Sequence, residues 1–233
     1  PPLLLLHGGL ETVGTSFGKV VAHFARTRQV VAVEQQGHGR TADLDRPLSF
    51  ERMADDTAAL LRHLGIEGAD AFGYSDGGNV ALGMAIRHPG LLRRIVVAGT
   101  NYDNDGLEPE VLRMFRTARP EDMPAGLREA YERVAPDPGG WARLVAKVMK
   151  LSAEFPGWRP EDIRSVRTPA LVVVGDTDIV RAEHAVAMFR LLPRARLAVL
   201  PGTGHGLRLA DPGWLLAMVE EFLDAPMRRG RPG

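Results

Sequence analysis

Ser75 stands between glycines in the run Gly73-Tyr74-Ser75-Asp76-Gly77-Gly78, and Asp178 and His205 each follow an apolar run further along the chain. A hydroxyl nucleophile, an imidazole to take its proton, and a carboxylate to hold the imidazole's tautomer and offset its charge are the parts needed for acyl transfer. Glycines before and after Ser75 suit a tight strand-to-helix turn, which keeps neighbouring Cβ atoms away and lets the hydroxyl project. The N–H of Asp76, at the positive end of the helix that follows, can face a developing oxyanion. A second donor is expected from His7-Gly8-Gly9-Leu10, with Gly9 N–H preferred over Leu10. Three aspartates compete for the acid: Asp178, Asp176, which is read as tying down its own turn, and Asp103. His38, between glycines, is read as a hydrogen-bonded loop anchor, and His23, His63, His88 and His184 as ordinary surface or capping residues. The Asp76 side chain is read as stabilising the helix dipole, with attraction of a cationic amine in the substrate as the alternative.

The elements that must position these groups follow from periodicity. Residues 3–6 are a continuous apolar run, as in a strand buried on both faces, and further strands are expected over 29–33, 69–72, 93–99, 169–174 and 195–200. Helical spacing over 16–26, 50–64 and 79–87, with Ser49 as an N-cap and Gly65 as a stop, alternates with the first strands. Such alternation predicts a mostly parallel sheet covered by helices on both faces, so Ser75, Asp178 and His205 emerge at one sheet edge. From 101 to 167 the alternation fails, and helical patterns over 110–118, 126–135 and 141–153 are punctuated by prolines. This stretch is read as a helical cap over the edge that carries Ser75. Met114, Phe115, Trp141, Met149, Phe155 and Trp158 are its candidates for an apolar pocket, and Leu10, Tyr74, Trp141, Met149 and Trp158 are the substrate-contact residues named for the site. A helix from 182 to 192 and a closing helix from Asp211 to about 223 complete the body. The expected division is 1–100 and 168–226 for the core, 101–167 for the cap, and a disordered tail over 227–233.

Composition narrows the partners. With 233 residues, 45% of them hydrophobic, one sizeable core is expected. Lys plus Arg equals Asp plus Glu at 29 each, so no global field favours nucleic acid or an anionic membrane, and a small-molecule substrate is expected. The absence of cysteine excludes disulfides, thiolate chemistry and cysteine metal sites. No apolar run approaches membrane-spanning length, and a cytoplasmic monomer or homodimer is the expectation.

With its chain order of Ser75, Asp178 and His205, the sequence resembles the α/β-hydrolase superfamily along nearly its whole length. His7-Gly8-Gly9 matches the oxyanion loop, Gln36-Gly37-His38-Gly39 the usual loop after a strand, Gly73 to Gly77 the nucleophile elbow, and Gly175-x-x-Asp178 and Gly204-His205 the remaining triad positions. The elbow is similar to that of capped esterases and lactonases, including valacyclovir-hydrolase-like proteins. The resemblance implies a three-layer fold, Asp178 as the acid, and no metal or organic cofactor. A serine at the elbow also sets the chain apart from family members with a carboxylate nucleophile, the haloalkane dehalogenases and epoxide hydrolases. The implied activity is hydrolysis of carboxylic esters, short-chain, aryl or lactone. A perhydrolase or C–C bond hydrolase on the same triad, and a ligand-binding relative without turnover, are the alternatives. Family members normally open with two further strands before the one at Leu3; a preceding segment carrying them and any targeting signal is expected.

Overall fold

The computed structural model describes residues 1–207, 209 and 213–226. Strands and helices alternate through β1 (Leu3–Leu6), α1 (Val13–Phe24), β2 (Val30–Val33), α2 (Phe50–His63), β3 (Ala69–Tyr74), α3 (Asp76–Arg87) and β4 (Leu92–Ala98). Helices α4 (Pro109–Thr117), α5 (Ala125–Val134), α6 (Trp141–Glu154) and α7 (Pro160–Ser165) intervene before β5 (Ala170–Gly175), α8 (Ala182–Leu191), β6 (Ala195–Leu200) and α9 (Gly213–Asp224). The six strands form one parallel sheet in the order β2-β1-β3-β4-β5-β6. Among the described residues, no helix is long and apolar enough to cross a membrane.

Period-two alternation divides the strand side chains between two cores. Leu3, Leu5, Phe72, Val96 and Val173 pack with Phe17, Val20 and Phe24 of α1 and with Leu215, Val219 and Phe222 of α9. Leu4, Leu6, Ala71, Ile95, Val97 and Val172 face the other way, toward α2, α3 and α8 and toward Leu144, Val148 and Phe155 of the inserted helices. The result is the three-layer α/β-hydrolase arrangement, with the central strands β1, β3, β4 and β5 covered on both faces and the edge strands β2 and β6 partly exposed. Register aligns the strand ends: Leu6 lies opposite Val33 and Gly73, Tyr74 opposite Ala98, and Gly175 opposite Leu200. The loops after β1, β3, β5 and β6 therefore open at one edge.

Most element ends fall within one or two residues of expectation; α1 and α7 depart further. Helix α1 starts at Val13, because Thr12 and Thr15 cap each other reciprocally through a Thr-x-x-Thr box, and it ends at Phe24. Helix α7 forms where no helix was expected, with Pro160 supplying its first turn. Asp211 and the tail over 227–233 lie outside the described residues.

Candidate active site

All six residues of β3 are buried, and the chain then turns sharply into α3. Ser75 takes φ 53° and ψ −119°, a strained conformation for a residue with a side chain. The turn exists because glycines flank it: a Cβ on Gly73 would overlap the carbonyl of Gly77, and one on Gly77 would overlap the carbonyl of Leu6 at the end of β1. Ser75 N–H donates to Ala98 O at 2.8 Å, and the Thr100 hydroxyl donates to Ser75 O at 3.1 Å, which ties the turn to β4.

The strain aims the hydroxyl. Ser75 Oγ lies 3.0 Å from His205 Nε2, and His205 Nδ1 lies 2.7 Å from Asp178 Oδ1. A carboxylate accepting at Nδ1 places the imidazole proton there and leaves Nε2 free to accept the serine proton. The Asp178 side chain is fully buried, and its Oδ1 also accepts the N–H of Val180 at 3.1 Å. Tyr74 lies against the His205 ring, with centroids 5.4 Å apart.

The other two aspartates are engaged elsewhere. Asp176 accepts from Gly202 N–H at 2.9 Å and Thr203 N–H at 3.0 Å, and those donors hold its carboxyl below the usual range. Asp103 accepts from Asp105 N–H at 2.9 Å in the turn Asn104–Gly106 and lies 3.9 Å from His184 Nδ1.

Hydrogen bonding of the loop after β1 separates Gly9 from Leu10. Gly8 N–H donates to Ser16 Oγ at 3.2 Å, Leu10 N–H to His38 Nε2 at 3.3 Å, and Glu11 N–H to Gly8 O at 3.2 Å. No such partner is recorded for Gly9 N–H among the described residues. Gly8 O is held by Glu11 N–H and by His7 Nδ1 at 2.8 Å. In a trans peptide the N–H points opposite the C=O, so these two donors turn Gly9 N–H away from them. The spent N–H of Leu10 removes the alternative donor.

His7 and His38 brace this loop against the one after β2. Each donates from Nδ1 to a carbonyl, Gly8 O or Gln36 O, and accepts a backbone N–H at Nε2, from Gln35 or Leu10. Burial keeps both imidazoles neutral: it lowers the pKa of His7 and takes that of His38 down to about 3, with the neighbouring His7 adding to the effect. Because the unfolded chain protonates near pH 6.5, stability is full above that value and is lost as pH falls toward 3. The His38 contribution is a loss of about 2 kcal/mol at pH 5. Asp76 and Glu11, whose carboxyls burial pushes up, act with the opposite sign. They titrate in wild type and variant alike, so a comparison isolates His38. Urea unfolding of His38→Gln is expected to show a pH 8 to pH 5 decline smaller than wild type's by about 2 kcal/mol. Equal declines would mean that His38 is not held neutral.

A narrow cavity opens beside Ser75 and His205. Phe50, Leu107, Phe115, Phe155, Ile179 and Val180 form its apolar wall, and Asp76, Asn79, Asn101, Asn104 and Ser152 its polar one. Asp76 is half-buried, and desolvation pushes its carboxyl up to about 6. Its Oδ2 lies over the Cα of Gly9, where a Cβ would meet it at 2.5 Å.

Of the residues expected to contact substrate, none lines this cavity. Leu10 and, on α6, Met149 are buried in the core, and Tyr74 lies against His205. Trp141 packs on Tyr131 at 5.6 Å, and Trp158 donates its indole N–H to Asn79 Oδ1 at 3.0 Å, behind the wall. Phe115 and Phe155 do line it, whereas Met114 is exposed. Phe50, Asn79 and Asn101 were not anticipated. The one signal for Asn79 was its place a helical turn after Ser75, which puts both on one face of α3.

His184 also departs from expectation. It is buried, stacked on Tyr102 with ring centroids 4.0 Å apart, and accepts Tyr102 N–H at 3.1 Å. His23 and His88 pair with Glu220 and Asp55.

Comparison with known proteins adds a lineage to this geometry. A family model described as "Alpha/beta hydrolase family" matches residues 3–218. RutD of Caulobacter sp. (strain K31), provisionally named a carbamate hydrolase, is 29% identical over 244 residues, covering 94% of this chain and 90% of that protein. The human serine hydrolase BPHL is 28% identical over 240 residues, covering 95% and 78%. The structure of 2-hydroxy-6-oxo-6-phenylhexa-2,4-dienoate hydrolase from Rhodococcus sp. strain RHA1 superposes with a TM-score of 0.79 at 22% identity, covering 97% of this chain and 91% of that one.

Proposed function

We propose that this chain, which belongs to the alpha/beta hydrolase family, is a serine hydrolase of carboxylic esters that works through an acyl-enzyme. The observation that carries the reading is the continuous relay from Ser75 through His205 to buried Asp178, at 3.0 and 2.7 Å, opening on a cavity. Ser75 Oγ attacks the ester carbonyl as His205 Nε2 takes its proton. The N–H groups of Gly9 and Asp76 receive the oxyanion, and Asp178 offsets the imidazolium. His205 then protonates the leaving alcohol, and water repeats the cycle on the acyl-enzyme. The inserted helices serve as a cap that shapes the acyl and leaving-group sites.

The cavity wall narrows the substrate. Among the described residues lining it there is no Lys or Arg, and the one ionisable carboxyl is Asp76. An anionic substrate such as a dienoate, the kind named for the Rhodococcus enzyme, would meet no counter-charge there. Uncharged short-chain or aryl esters and lactones fit the apolar wall, and an amino-acyl ester gains from Asp76.

The test is a panel of p-nitrophenyl esters from acetate to octanoate, with an amino-acyl ester and a dienoate ring-cleavage product alongside, plus labelling by a fluorophosphonate. Turnover of the neutral or amino-acyl esters, about tenfold or more above the dienoate in kcat/KM, is the expected result. Labelling of Ser75 with preferred cleavage of the dienoate would overturn the ester assignment. Neither turnover nor labelling would place the protein among non-catalytic binders.

A further inference from the structure

Glu11 takes no part in the chemistry above, yet it is built into the loop that presents Gly9. Its carboxylate accepts the hydroxyl of Ser16, which is buried in the first half of α1. The same Ser16 Oγ accepts Gly8 N–H at 3.2 Å, and Glu11's own N–H closes the loop onto Gly8 O at 3.2 Å. Gly8 is thus gripped on its N–H through Ser16 and the Glu11 carboxylate, and on its C=O by Glu11 N–H together with His7 Nδ1.

A serine hydroxyl has one proton and a free rotor. In a helix that proton can turn to the carbonyl four residues back, here Thr12 O, which already accepts Ser16 N–H at 3.1 Å. The Glu11 carboxylate takes the proton instead, which leaves an Oγ lone pair facing Gly8 N–H. Removing either partner frees Gly8 N–H, so the loop is then held only at Gly8 O and Gly9 N–H loses part of its fixed direction. The arrangement has a cost: burial pushes the Glu11 carboxyl up, and its negative charge helps push up the neighbouring Asp76 and Tyr74. A surface acid capping a helix would carry no such burden.

We infer that Glu11, acting through Ser16, is a positioning residue that aims Gly9 N–H at the oxyanion. This rests on the serine-hydrolase reading proposed above. Its mark is a loss confined to the tetrahedral state, because the donor matters most where charge develops.

The experiment compares Glu11→Ala, Glu11→Gln and Ser16→Ala with wild type in kcat and KM on p-nitrophenyl acetate, and in the Ki of phenylboronic acid, whose serine adduct is tetrahedral. Glu11→Ala and Ser16→Ala are expected to lose about tenfold or more in kcat, with KM within about threefold and the boronate Ki rising by the same factor as kcat falls. Glu11→Gln keeps an oxygen to accept the Ser16 proton and is expected to stay within about threefold of wild type. The inference is overturned if Glu11→Ala and Ser16→Ala keep kcat within about twofold, if only KM moves, if the boronate Ki does not follow kcat, or if Glu11→Gln is as impaired as Glu11→Ala. Absence of turnover and of boronate binding in wild type takes down the esterase reading and this one with it. Wild-type turnover with unaffected variants takes down this one alone.

Discussion

Ser75→Ala is expected to lower kcat/KM on p-nitrophenyl esters by about 10³-fold or more while leaving the thermal midpoint nearly unchanged. The two halves of that statement have separate grounds. The serine hydroxyl makes no helix-capping bond, and the turn is held by its backbone, through Ser75 N–H to Ala98 O and Thr100 Oγ1 to Ser75 O. Alanine can take the same φ of 53° with the same strain, so folding loses only the contact with His205 Nε2. Chemistry loses the nucleophile, and what remains is the oxyanion donors and binding. Because Ser75 and His205 act as one unit, the double variant with His205→Ala is expected to be no slower than either single one. A Ser75→Ala enzyme retaining more than about a tenth of wild-type kcat/KM would remove Ser75 from the mechanism.

How much of this arrangement could be read in advance depended on whether the deciding interactions were local. Leu3 to Leu6 are an uninterrupted apolar run because β1 is covered on both faces, and that reads directly as a central strand. The elbow is local only in part: Gly73 is required by an overlap with the nearby Gly77 carbonyl, whereas Gly77 is required by the carbonyl of Leu6 at the distant end of β1. The sequence favoured Gly9 over Leu10 without a reason to exclude Leu10, because the N–H of Leu10 is spent on His38, 28 positions away. The pocket wall was hidden for a related reason. Aromatic residues in the inserted helices either line the cavity or fasten those helices to the body, and composition does not say which. Phe155 does both, lining the cavity while meeting Phe50 edge-on at 4.8 Å, whereas Trp158 is spent on Asn79. His184 looked like a helix-end histidine because its partner, Tyr102, lies 82 positions away, beyond β4.

The choice among three aspartates gives the second large effect. Asp178→Ala is expected to cost about 10⁴-fold in kcat, and Asp176→Ala or Asp103→Ala no more than about threefold. Removing the Asp178 carboxylate leaves His205 Nδ1 without an acceptor and the developing imidazolium without a counter-charge, 2.7 Å from where it was met. Asp176→Ala loosens the turn at Gly202 and Thr203, and Asp103→Ala loosens the turn Asn104–Gly106; both are costs to local order and not to proton transfer. Asp178→Asn separates charge from geometry. Val180 N–H donates to Oδ1, the same oxygen that meets His205, while Oδ2 is buried without a partner among the described residues. An asparagine amide turned to keep its oxygen on Val180 N–H also keeps it on His205 Nδ1, so the productive tautomer survives and only the charge is lost. Its kcat should therefore fall between wild type and Asp178→Ala, by about 10²-fold relative to wild type. If Asp178→Asn is instead as slow as Asp178→Ala, the amide has flipped and Val180 N–H does not govern the orientation. If Asp103→Ala or Asp176→Ala brings the large loss, the acid has been assigned to the wrong aspartate.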